Sequence, residues 1–321
     1  MVWLFPRGVV LNAKPRKSLT WLRTMAVSLA LTGLVWGSML TVPLSLTVDN
    51  NYMKVFDPAW YDMEPTSYWD SGSPWPSPLG LSLGLLAVVV GHMFVLPYFM
   101  LLRGGMLGEL TSIQKEGARK YELKEGLLTH LAQPEGFVML GTYLTGTWML
   151  GLMPASYYSF HGGVNWGHVL LQLLLQDFLQ YLMHGAEHLS LKINPKLYAA
   201  SHKPHHVFTN PRFFDAFNGS PADTFCMILV PLYLTALIVP ANVWSYMAFG
   251  STYANWLTLI HSEYVHPWES VFRMLGLGTA ADHHGHHRLY VFNYGHLFMY
   301  WDYLFGTYKD PRKVVQFNKD V

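Results

Sequence analysis

Histidine is the residue type in this sequence whose spacing could support chemistry. The chain of 321 residues contains 16 histidines, and twelve of them lie between His184 and His296. Three groups are regularly spaced: an HxxxH pattern at residues 184–188 and two HxxHH patterns at residues 202–206 and 283–287. Neutral imidazole is a ligand for zinc, copper, iron and nickel alike, so these groups indicate a metal site. A pH-sensitive or loosely metal-binding surface is the alternative.

The spacing predicts a local geometry for each group. Residues four apart lie on one face of a helix, so His184 and His188 can bind one ion from neighbouring turns. Pro204 and Gly285 disfavour the middle of a helix, so the second and third groups are expected in turns or at helix starts. Adjacent histidines in these groups can then bind different ions. The candidates outnumber the three or four protein ligands of a single zinc ion, which favours two metals and redox chemistry.

An acidic residue and several isolated histidines extend the set of candidates. Asp177 lies seven residues before His184 on the same helical face, inside an apolar segment. We expect its carboxylate to accept the N–H of a ligand histidine; the alternative is a carboxylate bonded to neighbouring backbone or to Gln180. His261, which ends a later apolar segment, is an expected ligand. Three other histidines are possible ligands: His266, His284 and His296. Four more, which have no partner at ligand spacing, are expected to be packed or interfacial: His92, His130, His161 and His168.

The composition excludes several classes of protein. Hydrophobic residues make up 51% of the chain and charged residues only 13%, against roughly 25% charged residues in a soluble domain. The formal net charge is +1, so nothing argues for a nucleic-acid partner. Cys226 is the single cysteine, which excludes an intramolecular disulfide and multi-cysteine metal sites. Nitrogen and oxygen atoms must therefore hold any metal.

Long uncharged segments predict an all-α integral membrane protein, because a transmembrane helix needs about 20 apolar residues. Residues 224–239 and 243–260 should form a hairpin that either spans the bilayer or is re-entrant. We expect a helical bundle that carries a cytosolic, histidine-rich di-metal cap. We divide the chain into an N-terminal membrane anchor, residues 1–160, with two to three spans, and a catalytic region, residues 161–321. Four segments in all are expected to span the membrane: residues 24–48, 79–102, 137–153 and 165–183.

The distribution of lysine and arginine predicts the orientation in the membrane. Residues 1–23 carry five basic residues and no acid, the loop 49–78 carries five acids against one lysine, and the loop 103–135 brings back five basic residues. Basic loops stay on the cytosolic side. The later spans and the hairpin are expected to continue this alternation between the two sides of the membrane. They then place residues 184–222 and 261–321, which hold all twelve clustered histidines, on the cytosolic face. Both chain termini are expected there too.

The order of the three histidine groups on a multi-span chain resembles the sterol desaturase/fatty acid hydroxylase superfamily. The resemblance covers roughly residues 165–310, and residues 1–160 match only as generic spans. Four segments carry it: Asp177–His188 (DFLQYLMHGAEH), His202–His206 (HKPHH), His261–Trp268 (HSEYVHPW) and Ala281–Thr307 (ADHHGHHRLYVFNYGHLFMYWDYLFGT).

This resemblance implies a non-haem centre of two iron ions, with molecular oxygen as co-substrate and electrons from a separate cytochrome b5-like donor or an NAD(P)H-dependent reductase. It also implies a lipid or sterol substrate from the bilayer and a place in the endoplasmic reticulum membrane. Two departures from the family pattern are Gly185, where an arginine is common, and the additional His266. By position, the implied metal ligands are His184, His188, His202, His205, His206, His261, His283, His286 and His287.

We therefore expect a membrane-bound monooxygenase that hydroxylates or oxidises a C–H bond of a sterol or related lipid. The segment HSEYVHPW resembles C-4 methylsterol monooxygenases, whereas HKPHH resembles sterol C-5 desaturase, so desaturation is the alternative reaction. A non-redox membrane protein that binds or transports metal is a further alternative. Transport needs ionisable groups in the middle of several spans, and Asp177 is the one credible case in the sequence.

Overall fold

The computed structural model describes the backbone of residues 18–62, 76–107, 110–118, 122–130 and 134–321. Within these ranges the chain is helical, with three isolated β-bridges and no strand, which confirms the predicted all-α class. Part of the evidence for the predicted orientation lies outside the described residues, namely the basic segment 1–17 and residues 63–75 of the acidic loop.

Fourteen α-helices follow one another along the described chain. A π-helical segment, Thr224–Leu229, joins α9 to α10 without a break. Short 3-10 turns include His205–Val207 and Phe213–Asp215. The helices are α1 Ser18–Ser38, α2 Thr41–Thr47, α3 Tyr52–Val55, α4 Leu79–Arg103, α5 Leu123–His130, α6 Pro134–Met149, α7 Trp166–Ile193, α8 Pro195–Ala200, α9 Pro221–Asp223, α10 Val230–Ile238, α11 Val243–Leu259, α12 Glu269–Met274, α13 Ala280–Leu289 and α14 Tyr300–Phe305.

Two helical stretches of the described chain are long and apolar enough to cross a membrane. They are α4 and the continuous stretch Pro221–Ile238. A third candidate is the pair Met25–Ser38 and Thr41–Asn50, which is bent by 71°. The predicted count of four spans plus a hairpin is therefore supported only in part. By themselves α6 and α11, with 16 and 17 residues, are shorter than the usual span of about 20 residues.

Helix α7 is 28 residues long, but its polar residues lower its average hydropathy. These residues recur every three or four positions, so they share one face, and that face is buried. The opposite face is apolar and exposed, as at Leu170, Leu171 and Leu189. Helix α7 therefore turns its polar side toward the protein interior. The buried polar residues are Gln172, Gln176, Asp177, Gln180, His184, Glu187 and His188.

Small residues allow α4 to pack closely on α11. A Cβ atom on Gly91 would lie 2.5 Å from Asn255 Nδ2 and 3.1 Å from Ser251 Oγ. The Ser251 hydroxyl lies 2.7 Å from the carbonyl oxygen of Met39 and 2.9 Å from that of Ala87. Small residues and interhelical hydrogen bonds are the usual means by which helices associate in membranes. Through Ser251, α11 is joined both to α4 and to the bend between α1 and α2.

The third histidine group lies within α13, which begins three residues before His283. A capping box starts this helix: the Thr279 hydroxyl accepts from the Asp282 N–H, and Asp282 accepts from the Thr279 N–H, both at 3.1 Å. The helix continues through Gly285, so of the two expected settings, a turn or a helix start, the third group occupies a helix start. A side chain would not fit well there, because a Cβ would lie 3.1 Å from Asn293 Nδ2. The glycine therefore reflects close packing.

The packing at the start of α4 leads to a testable prediction. A Cβ on Gly80 would lie 2.5 Å from the Trp148 ring and 2.8 Å from Val243 Cγ2. We expect Gly80→Ala to lower the free energy of unfolding by about 1–3 kcal/mol, because the rigid indole must move. Gly84→Ala, in the same helix, is the control because nothing lies within 4 Å of its added methyl group. Thermal unfolding in detergent measures both, and equal melting temperatures would contradict this account of the packing.

Candidate metal centre

The structure brings all nine histidines that the resemblance implied as ligands into two neighbouring clusters. In each cluster one ring nitrogen of every member lies within 4.8 Å of those of the others. Eight of the side chains are buried and that of His205 is partly buried. Cluster A consists of His184, His188, His202, His206 and His286, and cluster B consists of His205, His261, His283 and His287.

The Nε2 atoms of cluster A face one another. His206 Nε2 lies 3.0 Å from those of His202 and His286 and 3.2 Å from that of His188. The His184–His202 separation is 3.0 Å and the His188–His286 separation is 3.2 Å. About 3 Å is the spacing expected of nitrogen atoms that each lie about 2.1 Å from a common ion. The five rings therefore surround a position suited to one metal ion.

Cluster B has the same character. His283 Nε2 lies 3.0 Å from His261 Nε2 and 3.1 Å from His287 Nε2. The ring centroid of His205 lies 4.7 Å from that of His287 and 5.5 Å from that of His261. The adjacent residues His205 and His206 thus point into different clusters, as their position in a turn predicted.

Backbone carbonyl groups orient most of these rings from behind. A ring whose Nδ1–H donates to a carbonyl keeps the lone pair of Nε2 for a metal. Burial first, and then the neighbouring imidazoles, hold the pKa values of His206, His286 and His287 well below the ordinary histidine range, so these rings are neutral. Five rings donate at 2.7–3.0 Å: His184 to Tyr294 O, His205 to Asn218 O, His261 to Leu257 O, His286 to Phe292 O and His287 to Phe208 O.

His202 is oriented by carboxylates instead. Its Nδ1 lies 2.7 Å from Asp223 Oδ1 and 3.1 Å from Glu187 Oε2. Burial alone would lower the pKa of His202, but these two carboxylates raise it to about 9. A carboxylate behind a ligand histidine increases the basicity of the ring and fixes its orientation. Sequence reasoning missed both partners, although the position of Glu187 inside the first histidine group was a usable signal.

Asp177 has a different partner from the one predicted. Its buried carboxylate accepts backbone N–H groups of His296 at 3.2 Å, Leu297 at 2.7 Å and Phe298 at 3.0 Å. The prediction that it accepts an imidazole N–H was wrong. Seven residues separate Asp177 from His184, which is about 10 Å along a helix axis. At that distance the carboxylate contacts the backbone of residues 296–298 instead. The position of this loop next to α7 could not be predicted from the sequence.

Asp302 continues this arrangement at the other end of the same loop. Its carboxylate accepts the N–H groups of Tyr294 at 2.9 Å and Gly295 at 2.8 Å. Together with Asp177 it satisfies five consecutive backbone amides, residues 294–298. Buried amides require such acceptors, because an unpaired one costs free energy comparable to a lost hydrogen bond. The two carboxylates therefore determine the path of the loop 294–298.

This loop connects the two carboxylates to cluster A. Tyr294 O accepts the Nδ1–H of His184 at 2.9 Å, and Phe292 O, just before the loop, accepts that of His286 at 2.8 Å. A displaced loop would move both carbonyl groups and rotate both rings. Asp177 and Asp302 thus position two rings of cluster A through the backbone.

His266 lies outside both clusters. Its Nδ1 is 2.8 Å from the Tyr98 hydroxyl and its Nε2 is 3.0 Å from Leu259 O. The ring stacks on Trp268 with a centroid separation of 4.6 Å. Both ring nitrogens therefore have protein partners. A packing role accounts for this additional histidine.

His284 and His296 also lie outside the two clusters. The Nδ1 atom of His284 lies 3.3 Å from Gln114 Nε2. The ring of His284 therefore points away from the clusters that the other histidines of α13 join. The ring of His296 stacks on that of His184, with centroids 5.3 Å apart, and lines the cavity described next. Among the histidines expected to be packed or interfacial, the side chain of His130 lies outside the described residues.

A cavity of about 440 Å³ reaches both clusters. Apolar side chains from α4, α6, the π-helical segment and α11 form most of its walls. The most exposed wall residues, Val89, Met93 and Phe137, indicate an opening between α4 and α6. Its volume is in the range of about 300–1,000 Å³ that is usual for small-molecule sites. Four cluster histidines line it: His184 and His202 from cluster A, and His205 and His261 from cluster B.

The loop 294–298 gives a prediction that needs no metal. In Asp177→Asn one carboxylate oxygen becomes an NH2 group that cannot accept from the backbone, so we expect a loss of about 1–3 kcal/mol in stability. Hydrogen exchange measured by mass spectrometry should become faster in residues 294–298. Asp57→Asn is the matched control, because Asp57 is an exposed N-cap residue and asparagine caps equally well. Unchanged exchange of the loop in Asp177→Asn would show that the carboxylate does not hold it.

Comparison with known proteins identifies similar chains. Residues 169–307 match the fatty acid hydroxylase family. The chain is 55% identical over 308 residues to an alternative squalene epoxidase of Phaeodactylum tricornutum, covering 94% of this chain and 86% of that protein. No solved structure matches.

Two further relatives align with less than half of the chain. A lathosterol oxidase of Rattus norvegicus is 30% identical over 152 residues, covering 46% of this chain and 48% of that protein. A methylsterol monooxygenase of Aspergillus fumigatus is 31% identical over 155 residues, covering 44% of this chain and 47% of that protein. The segment 169–307 that matches the family includes every histidine of clusters A and B.

Proposed function

The chain belongs to the fatty acid hydroxylase (sterol desaturase) superfamily of membrane-bound, non-haem di-iron oxidoreductases, and we propose that it epoxidises squalene or a similar linear isoprenoid hydrocarbon. The proposed reaction adds one oxygen atom to a C=C bond, whereas the sequence reasoning favoured a sterol C–H bond. Both reactions act on a lipid of the sterol pathway. The proposal differs in the bond attacked and in the shape of the substrate.

The extent of the similarity to the Phaeodactylum protein carries this proposal. That alignment covers 94% of the chain, so it includes α4 and α6, which form the opening of the cavity. The two sterol enzymes align over 44–46% of the chain, a length that cannot include both the metal-bearing half and these helices. A relative whose alignment includes α4 and α6 is a better guide to the substrate than relatives that align with less than half of the chain.

The chemistry of the cavity suits a hydrocarbon. Most of its wall is apolar, and burial of apolar surface provides about 25 cal/mol per Å² for binding. The amide of the wall residue Gln180 is satisfied inside the protein: its nitrogen donates to Met227 O and its oxygen accepts from the Tyr253 hydroxyl. A substrate without oxygen atoms leaves these bonds intact.

We further propose that cluster A holds one iron ion and cluster B the other. The donor set fits, because nine imidazoles lie at ligand spacing and the pKa values of eight of them are lowered, so these eight provide neutral nitrogen lone pairs, although such nitrogens also suit zinc and copper. His202 would release its proton on binding the ion. Two bound iron ions would supply the redox chemistry that activates molecular oxygen. Asp223 and Glu187 would hold His202 against its ion, and the apolar walls would exclude water from the substrate.

The electron donor and the cellular location remain proposals from the sequence. We propose a separate cytochrome b5-like protein or an NAD(P)H-dependent reductase as donor, docking on the cytosolic face of the endoplasmic reticulum membrane. Exposed lysines next to the histidine-bearing segments, Lys192, Lys196 and Lys203, support a complementary acidic partner.

Metal content tests the two-cluster assignment. We expect about two iron ions per chain in the purified protein. The pair His188→Ala/His286→Ala should lose the ion of cluster A, and His283→Ala/His287→Ala that of cluster B, because each removes two ligands. His161→Ala is the control, since His161 is exposed and lies outside both clusters. Elemental analysis by mass spectrometry gives the stoichiometry, and one ion per wild-type chain would refute the assignment.

Product analysis tests the reaction. Purified protein in nanodiscs, given squalene, ¹⁸O₂, NADPH and a reductase with cytochrome b5, should form squalene monoepoxide with one labelled oxygen. Asp223→Asn should lower the rate by about 10- to 100-fold, the usual effect of removing the carboxylate behind a ligand histidine. His161→Ala should keep the wild-type rate. Gas chromatography with mass spectrometry detects the product.

Lathosterol supplied in the same assay tests the second candidate, sterol desaturation. This candidate is supported by the 30% identity to a lathosterol oxidase across 46% of the chain. A new C=C bond in lathosterol, with no epoxide from squalene, would overturn the epoxidase proposal and establish the desaturase.

A further inference from the structure

One polar pair faces the cavity without belonging to either metal cluster. His92 on α4 and Asn255 on α11 both line the cavity and interact with each other. Helix α4 is a candidate membrane span, in which an ionisable side chain is costly and marks a functional site by default. The proposed epoxidation of a hydrocarbon makes no use of this pair.

The contact between α4 and α11 does not require His92. The Asn255 amide nitrogen donates to Ser251 O at 2.9 Å and lies 3.3 Å from Val88 O, and the Ser251 hydroxyl joins the two helices independently. In the described structure Asn255 Oδ1 is buried and has no hydrogen bond of normal geometry. This amide oxygen is an acceptor, so a ligand hydroxyl can donate to it, whereas an epoxide oxygen, which carries no hydrogen, can only accept from the N–H of the His92 ring. The pair is therefore suited to a ligand that carries a polar atom.

The pair lines the cavity that the opening and cluster B share. Asn255 and Thr258 on α11 and His261, two residues beyond the end of that helix, all line the cavity. On α4, His92 is adjacent to Met93, one of the exposed residues at the opening. The pair therefore shares the wall of the cavity with the opening and with His261.

We propose that His92 and Asn255 form a subsite that binds the oxygen atom of a mono-oxygenated isoprenoid lipid. The oxygen would be that of an epoxide, which accepts from the His92 ring, or of a hydroxyl group, which donates to Asn255 Oδ1. This inference rests on the proposed function, because it takes the cavity as the lipid site. The chain then binds two lipid classes, the hydrocarbon that it oxidises and an isoprenoid that already carries one oxygen.

Ligand binding to a pair of His92 variants tests the subsite. His92→Leu removes the hydrogen-bonding group, and His92→Gln keeps one. The full-length, iron-loaded protein in nanodiscs is titrated without reductant with three radiolabelled probes: squalene, squalene 2,3-epoxide and cholesterol. We expect His92→Leu to weaken binding of an oxygenated probe about 3- to 10-fold, the effect of one neutral hydrogen bond, without weakening squalene binding. His92→Gln should restore most of the loss.

The matched control is His161→Leu, the same substitution at an exposed histidine outside the cavity, which should leave all three affinities unchanged. A loss confined to the epoxide identifies an epoxide subsite, and a loss confined to cholesterol identifies a hydroxyl subsite. Equal losses for all three probes, accompanied by a lower melting temperature, would show that His92 serves helix packing and would overturn the proposal.

Unchanged affinity in His92→Leu would overturn it as well. Because binding is measured without turnover, the result is separate from the test of epoxidation. If squalene is never oxidised but the oxygenated probes still depend on His92, the proposed function fails and the subsite stands.

Discussion

Nine imidazole rings face inward, and burial holds the pKa values of eight of them below the ordinary histidine range, whereas carboxylates raise that of His202; the rest of the fold supports this arrangement. Burial and mutual proximity keep rings such as His206 and His286 neutral. An acceptor behind the ring then directs the lone pair of Nε2, and for five rings that acceptor is a backbone carbonyl. Helix α7 turns a polar face inward for the same reason, with leucines on its outer surface. Helix α7 is thus polar on its inner face and apolar on its outer face, the reverse of a surface helix in a soluble domain.

Local spacing explains what could be predicted from the sequence. HxxxH and HxxHH patterns are short, so the chain itself places their members close together, and the resemblance to a family joined the patterns into one set. The nine residues do converge in the structure, although their role as ligands stays a prediction. The partners of these residues could not be predicted. Asp223 approaches His202 from another helix, and Asp177 meets a loop more than 100 residues away in sequence.

Acceptors formed by backbone carbonyls leave no signal in a sequence. Any residue at positions 292 and 294 would offer the same oxygen to His286 and His184, so residue type there says nothing about the contact. Membrane spans show a related limit. Hydropathy identifies α4 and Pro221–Ile238, in which apolar residues predominate, but it undervalues α7, in which a polar inner face and an apolar outer face average out. Such helices are recognised by periodicity better than by mean hydropathy.

The cavity touches two histidines of each cluster, and its remaining walls come from helices that are not related by any symmetry. The two faces of a prochiral double bond held there meet different surroundings, since only one face can be turned toward the histidines. Oxygen delivered from that side would produce a single enantiomer in every catalytic cycle. For the proposed reaction, the handedness of the product would then originate in the unequal placement of α4 and α11 around the cavity, and an enzyme acting later on the product would receive one stereoisomer.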